Sequence, residues 1–385
     1  MKRISLIAIM ALMGIGSVAA KSSTTLPIVG EVVKATNPLI QYVGRVSFAK
    51  NETASFNFPG TSIFARFQGS SLKMICRPMT GYFMAQVDGC EPFKVGFNAE
   101  RDSVVTVAAA LPKGEHQVKL MYVIEGLFRT PEFRGFVLDK GCSLVKSPDL
   151  PERKIEFIGN SITCGYGVES IEMTDPFEDE TENHWLTYAN IVSDSLNAQH
   201  TSISRSGIGV YRNYDGPKAG SDENMPWQYE YTLFNKHDEK WNFNKYQPQL
   251  VCINLGTNDL STNNYDIALY EKNYRMFLTT VRSKYPNAKI VLITGPMLGE
   301  KESGEQREVL DRICSDANKK GFTLPEEVRK ARKGKNKGDK DICRFDFTFQ
   351  AGDLGYGASW HPSKLQHQKM ADELLPFLRN LMGWE

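Results

Sequence analysis

From about Leu39 to Val145 apolar and polar residues alternate over short segments: SIFARFQ, YFMAQVD, SVVTVAAAL and HQVKLMYVIE, separated by turn signals such as Asp88-Gly89 and Lys113-Gly114. A period of two sends successive side chains to opposite faces of a strand, so this region predicts an antiparallel all-β domain, a jelly roll or sandwich. The segment SPDLPERK, with Pro148 and Pro151, reads as a linker. Beyond it the period changes. Ile155–Ile158 predicts a short buried strand, and Trp185–Leu196 carries Trp185, Tyr188, Ala189, Ile191, Val192 and Leu196 at helical spacing. Further strands are predicted at Thr201–Ser204, Leu250–Leu255 and Lys289–Thr294, with a helix over Tyr270–Tyr285 between the last two. Strand and helix in alternation build a parallel sheet with helices on both faces. A final helix opens at Pro362 and runs toward Leu381, with a kink at Pro376. The Lys- and Gly-dense stretch RKARKGKNKGDKDICR, residues 329–344, has no aromatic before Phe345 and reads as a solvated surface loop.

The 385 residues exceed one ordinary domain, which fits this change of texture. The first twenty, MKRISLIAIMALMGIGSVAA, place Lys2 and Arg3 ahead of an apolar run ending in small residues. That is the form of a secretory signal cleaved near Lys21, and the run is too short for a spanning helix. The expected organisation is therefore a signal peptide over 1–20, a β jelly-roll or sandwich domain over 21–148, and an α/β domain over 149–385. The mature protein is expected to be exported, periplasmic or extracellular, without stable membrane insertion. A formal net charge of +1 gives no field to gather nucleic acid. Seven cysteines without CxxC spacing argue against a metal or redox site. Cys76 and Cys252 read as small buried hydrophobes, and Cys314 with Cys343 as a disulfide.

The chemistry concentrates at predicted strand ends. In FIGNSITCGYG, residues 157–167, Ser161 follows a buried strand. A serine hydroxyl attacks only when a base takes its proton and donors receive the resulting oxyanion. Of six histidines, His116, His184, His200, His237 and His367 read as surface turns, strand starts or helix faces. His361, in GASWHPS before the last helix, is the best-placed base. SRSGIGV, at 204–210, offers the backbone N–H of Gly207, and LVCINLGTNDLS, at 250–261, offers the side-chain amide of Asn258. Three strand-end loops can meet in one crevice, as ligand sites in open α/β sheets do. Nothing resembles HExxH or a clustered ligand set, so neither metal nor cofactor is called for.

Ser161 in GNSIT, Gly207 in SGIG, Asn258 in GTND and His361 in WHPS, in that order, resemble the four blocks of the SGNH or GDSL hydrolase superfamily, over roughly Lys154 to Glu385. The resemblance implies a flavodoxin-like α/β/α fold. A β jelly roll directly ahead of GNSITCGYG and WHPS is similar to carbohydrate esterase family 2, whose members remove acetyl groups from plant polysaccharides and favour the 6-hydroxyl of hexopyranosyl units. By that likeness Ser161 is the nucleophile and His361 the base and then the acid. The Ser161 N–H, the Gly207 N–H and the Asn258 amide form the oxyanion hole. The chain departs from the superfamily at Asn160, where an Asp is usual, and at Ala358 and Ser359, where an Asp usually orients the histidine. A backbone carbonyl would leave a Ser-His dyad, the favoured expectation; Asp353 is the substitute carboxylate. Trp360, Trp227 and Tyr211 are candidate platforms for a sugar ring. The expected partner is an acetylated polysaccharide or oligosaccharide. A lipase, thioesterase or arylesterase of the same superfamily and a catalytically degenerate carbohydrate-binding protein are the alternatives. The residues leave open the role of the β domain, the acetyl position and the oligomeric state.

Overall fold

The computed structural model describes residues 28–385 except 51, 102, 130, 263 and 333–337, so the expected signal peptide lies outside the described residues. The β region forms a 5-stranded and a 6-stranded sheet, both built from antiparallel pairs. Aromatic residues from both, among them Phe56, Phe83, Tyr122 and Phe133, are fully buried between them. Phe83 meets Tyr122 edge to face at 5.3 Å, a geometry favoured by the ring quadrupoles. The strand Gly114–Tyr122 continues into Val123, Ile124 and Glu125, all three buried, and this continuation runs up against the second domain. There the His184 N–H donates to the Val123 carbonyl at 2.9 Å.

The second domain is a parallel sheet of β1 (Arg153–Gly159), β2 (Ala198–Ser204), β3 (Leu250–Asn254), β4 (Lys289–Thr294) and β5 (Ile342–Asp346), in the order β2-β1-β3-β4-β5. This is the flavodoxin-like order, with its switch point beside β1. Alternate residues feed two cores. Phe157, Cys252 and Val291 pack under α1 (Tyr188–Ser195) and α4 (Lys364–Met382), whereas Ile158, Val251, Ile253 and Leu292 pack under α2 (Ile267–Lys284) and α3 (Glu300–Lys320). Strands apolar on both faces are what a two-sided parallel sheet requires. The domains are locked by Arg45 of the β region. Its guanidinium lies among Phe58, Tyr229, Trp241 and Phe243 and donates to the Tyr231 carbonyl at 2.7 Å.

Several expectations need correction. The last helix starts at Lys364, because Ser363 caps it by accepting from the Gln366 N–H at 3.1 Å; Pro362 is instead bridged to Tyr356. Part of the stretch read as a solvated loop is structured: it includes the start of β5, and Arg332 and Asp339 are only 2 % exposed. Asp339 accepts from the buried Arg282 at 2.6 Å and pairs with Arg332 at 3.2 Å. β5 escaped the sequence reading because this edge strand carries charged side chains: its Arg344 pairs with Asp311 of α3 at 2.8 Å. Cys314 and Cys343 are separate thiols, like the other five cysteines. His116 stands near the start of the Gly114–Tyr122 strand and His367 on the last helix, as read, with His116 Nδ1 2.6 Å from Asp88, but His184, His200 and His367 are buried and none of the three is a surface residue.

Candidate active site

Parallel register brings the three strand ends to one level. Gly159, the last residue of β1, is paired with Ser204 of β2 and Asn254 of β3, so the loops carrying Ser161, Gly207 and Asn258 leave the sheet side by side. The turn after β1 is tight because Gly159 has no side chain: a Cβ there would lie 2.0 Å from Thr163 Oγ1. Asn160, in extended conformation, then caps the one-turn helix Ser161–Cys164, its Oδ1 accepting from the Ile162 N–H at 3.1 Å. Asn serves this cap as well as Asp would. Ser161 is thereby the first residue of a helix, where the backbone N–H has no intrahelical partner.

His361 faces it. Its Nε2 is 2.8 Å from Ser161 Oγ, and its Nδ1 lies 3.0 Å from the Ala358 carbonyl and 3.2 Å from the Ser359 carbonyl. Since carbonyls only accept, Nδ1 carries the proton and Nε2 presents its lone pair to the serine. Asp353 is exposed and makes no bond to the imidazole. Ser359 and Trp360 both adopt left-handed backbone (φ 51° and 59°), a reversal that brings two successive carbonyls to one ring nitrogen. Such backbone costs on the order of 1 kcal/mol per residue and persists only where its surroundings enforce it. The enforcement is visible. Gln350 Nε2 donates to the Trp360 carbonyl at 2.7 Å, and the Ala358 N–H donates to Gly167 at 3.0 Å. A Cβ on Gly167 would approach Ala358 Cβ to 2.3 Å, so the GYG turn is glycine-flanked to let the two loops touch.

Tyr166 of the same turn stacks on the His361 ring, centroids 4.2 Å apart at 26°. It was missed from sequence, although an aromatic residue between two turn glycines was the available sign. Burial pushes the His361 imidazole down to about 4, against the pull of its two carbonyl partners. The candidate base is therefore neutral at neutral pH.

The candidate oxyanion donors are fixed from below. Asn258 Nδ2 donates one proton to the Ile208 carbonyl at 2.8 Å, which leaves its second N–H to donate elsewhere. The neighbouring Asp259 accepts from the Val210, Tyr211 and Arg212 N–H groups at 3.0, 2.8 and 3.1 Å. Burial nevertheless pushes the Asp259 carboxyl up to about 6. Consecutive side chains of GTND thus clamp the SGIGV loop. Gly207 itself has φ 74°, and its carbonyl accepts from the Tyr214 N–H at 2.8 Å.

The three aromatic candidates part company. Trp360 is 52 % exposed beside His361. Tyr211 is buried and its hydroxyl accepts from the Asp266 N–H at 2.8 Å, so its ring is a packing element and not a sugar platform. Trp227 packs on His237 at 3.8 Å and Tyr231 at 5.4 Å. Among the described residues no group of three His, Cys, Asp or Glu side chains could hold a metal, and no helix is long and apolar enough to cross a membrane.

Comparison with known proteins follows these features. Residues 42–148 match the family carbohydrate esterase 2 N-terminal, and residues 155–374 match GDSL-like lipase/acylhydrolase. Cellulase/esterase CelE of Acetivibrio thermocellus is 34 % identical over 90 % of this chain, which spans 40 % of that protein's length. An acetylxylan esterase / glucomannan deacetylase of Cellvibrio japonicus is 27 % identical over 91 % of both chains. Among solved structures, a family two carbohydrate esterase from Clostridium thermocellum in complex with cellohexaose matches with a TM-score of 0.79 and 33 % identity, covering 90 % of this chain and 100 % of that one. One from Cellvibrio japonicus matches with a TM-score of 0.78 and 25 % identity, over 92 % and 98 %. The same two-domain order and the GDSL-like match across more than half of its length mean that the chain belongs to the SGNH/GDSL ester hydrolases and, within them, to carbohydrate esterase family 2.

Proposed function

We propose that the protein is an O-acetyl esterase of plant polysaccharides such as acetylated xylan and glucomannan, taking acetyl from the 6-hydroxyl of hexopyranosyl units through an acyl-enzyme. The observation that carries the reading is the 2.8 Å contact between Ser161 Oγ and the unprotonated Nε2 of His361. Relatives named acetylxylan esterase / glucomannan deacetylase, and a structural neighbour holding cellohexaose, support a carbohydrate ester over other esters.

In this reading Ser161 Oγ attacks the acetyl carbonyl carbon while its proton passes to His361 Nε2. The carbonyl oxygen becomes an oxyanion, met by the Ser161 and Gly207 N–H groups and the second N–H of Asn258. The tetrahedral intermediate collapses by breaking the bond to the sugar oxygen, which takes the proton from His361 Nε2. Water, deprotonated by the same nitrogen, then releases acetate and restores the serine. Trp360, exposed beside the base, offers a face for the pyranose ring.

The test is acetate release from acetylated glucomannan and xylan, with p-nitrophenyl acetate alongside, by the wild type, Ser161→Ala and His361→Ala. Release by the wild type and loss of at least about 10³-fold in both variants is expected. No release from any ester by the folded wild type would overturn the proposal.

A further inference from the structure

The role of the β domain is open in the sequence, and one carboxylate gives it content. Glu125 stands where the Gly114–Tyr122 strand runs on into the second domain, and it is only 3 % exposed. Its Oε2 accepts the Ser206 N–H at 2.6 Å. That amide directly precedes the N–H of Gly207. The same oxygen lies 3.9 Å from Cys164 Sγ, a weak thiol donor on the one-turn helix that Ser161 opens. One carboxylate of the β domain therefore touches both the loop of the oxyanion donor and the helix of the nucleophile.

The carboxylate is itself held in place. Its own backbone N–H donates to Glu182 Oε2 at 2.9 Å, and Glu182 is completely buried. At the next residue, the Gly126 N–H donates to the Asn57 carbonyl at 2.9 Å. Burial pushes the Glu125 carboxyl up, opposed first by its bonds to Ser206 and then by the Arg205 charge. A buried carboxyl is an expensive way to satisfy one backbone N–H, since an ordinary turn or a neutral side chain would do. Its bond to the Ser206 N–H points to the loop that it orients.

We infer that Glu125 is a positioning residue for ester hydrolysis: it fixes the Arg205–Ser206 peptide so that the next N–H, that of Gly207, points into the oxyanion hole. The β domain is then part of the active site and not a tethered module. This rests on the esterase reading above. Loss of the acceptor frees the loop and weakens the transition state more than the bound ester, so kcat falls with KM little changed.

The experiment is steady-state kinetics of the full chain on p-nitrophenyl acetate for the wild type, Glu125→Ala, Glu125→Leu and Glu125→Gln, with inhibition by a simple alkyl boronic acid. The boronate's tetrahedral serine adduct places an oxygen in the oxyanion hole. Removing an oxyanion donor outright costs roughly 10²–10³-fold, so loosening one is expected to lower kcat by about 10–100-fold in the Ala variant. The boronate Ki should rise in parallel. The Gln variant, whose amide oxygen can still accept from Ser206, should recover most of the rate. Leu keeps the bulk without the acceptor and serves if the Ala variant does not fold. Wild-type kcat in the folded Ala or Leu variant, equal losses in Gln and Ala, or an unchanged Ki beside a fallen kcat would each overturn the inference. A wild type inactive on every ester would instead sink the esterase reading on which it stands.

Discussion

The Ser161–His361 contact and the His184–His200 contact are built from the same parts and are set to different work. In both, an imidazole Nδ1 donates to backbone carbonyl oxygen: Ala358 and Ser359 for His361, Thr163 for His184 at 2.8 Å. In both, burial lowers that imidazole to about 4. In both, Nε2 meets a partner, at 2.8 Å in one and 3.0 Å in the other. What differs is the partner. His184 accepts from the Nε2–H of His200 in a closed interior, where the two residues are 0 % and 5 % exposed. His361 accepts from the Ser161 hydroxyl just beyond the carboxyl end of β1, which becomes the nucleophile in the proposed reaction. A lowered pKa and a fixed tautomer do not by themselves mark a catalytic histidine; access and the chemistry of the group at Nε2 do.

The sharpest break of this comparison is to delete one ring from each pair. His361→Ala is expected to lower kcat on p-nitrophenyl acetate by about 10⁴-fold with little change in Tm, since the ring is half-buried and its loss removes the base. His200→Ala should behave in reverse. It leaves a cavity and a buried His184 nitrogen without its donor, a loss of about 2–4 kcal/mol, while kcat per folded molecule stays within about threefold. Kinetics beside thermal unfolding reads both. A His200 variant as inactive as the His361 variant would erase the distinction.

How much of this was legible follows from where each signal lives. The four blocks around Ser161, Gly207, Asn258 and His361 are short, ordered and set at strand ends, so their residue types could be read locally. The strand alternation that feeds two cores was legible for the same reason. The histidines were not: His184 and His200 look like ordinary polar residues until the fold brings their nitrogens together across 16 positions. Tyr166 stacks on a ring 195 positions away, and Glu125 acts from another domain. β5, with Arg344 and Asp346 in a five-residue edge strand, lacks the apolar pattern that disclosed β1, β3 and β4. Local pattern finds elements and turns, whereas contacts between distant segments need the fold.

A second way to sharpen the comparison is pH, because the same lowered pKa has different consequences in the two places. For His361 the acid limb of kcat/KM reports loss of the base, so activity is expected to stay flat below pH 6.5 and to fall only near 4. For the core histidines the consequence is stability. His184 and His367 are held neutral when folded, with values near 4 and 3, and His200 is lowered as well, all chiefly by burial. In the unfolded chain each would take a proton below about 6.5, so the unfolded state binds more protons and acid favours it. Stability should therefore fall as pH drops from about 6.5 toward 4, with Tm lower by several degrees at pH 5 than at pH 7. His116, raised chiefly by its bond to Asp88, and the buried Asp259 and Glu125 carboxyls, raised chiefly by burial, work in the opposite sense and offset part of this. The check is a pair of curves, kcat/KM from short assays and Tm from calorimetry. An acid limb near 6.5 would mean that the His361 environment is no drier than water.

A smaller effect is expected from Trp360, which is exposed beside the base and whose backbone, not its ring, holds the turn. Trp360→Ala should raise KM for acetylated glucomannan by about 3–10-fold through loss of a stacking face and leave p-nitrophenyl acetate within about twofold. Equal losses on both substrates would assign the residue to the turn, with the left-handed backbone as the feature that matters.

The smallest effect is expected at Asp353, and its smallness is informative. In a triad the carboxylate does two things: it selects the tautomer, and it stabilises the imidazolium that forms when the serine is deprotonated. In this protein the first task falls to the Ala358 and Ser359 carbonyls, placed by two left-handed residues. The second is left to carbonyl dipoles alone, in keeping with a His361 value near 4 and not above 6.5. Asp353 is exposed, where water and salt screen its charge from the ring. Asp353→Asn is therefore expected to leave kcat/KM within about twofold and the acid limb unmoved across its pH profile, since exposed charges contribute little. A tenfold loss, with the acid limb shifted further down, would mean that Asp353 reaches Nδ1 during turnover. The dyad would then be a triad that closes only on substrate, and the likeness between His361 and His184 would hold only in the resting enzyme.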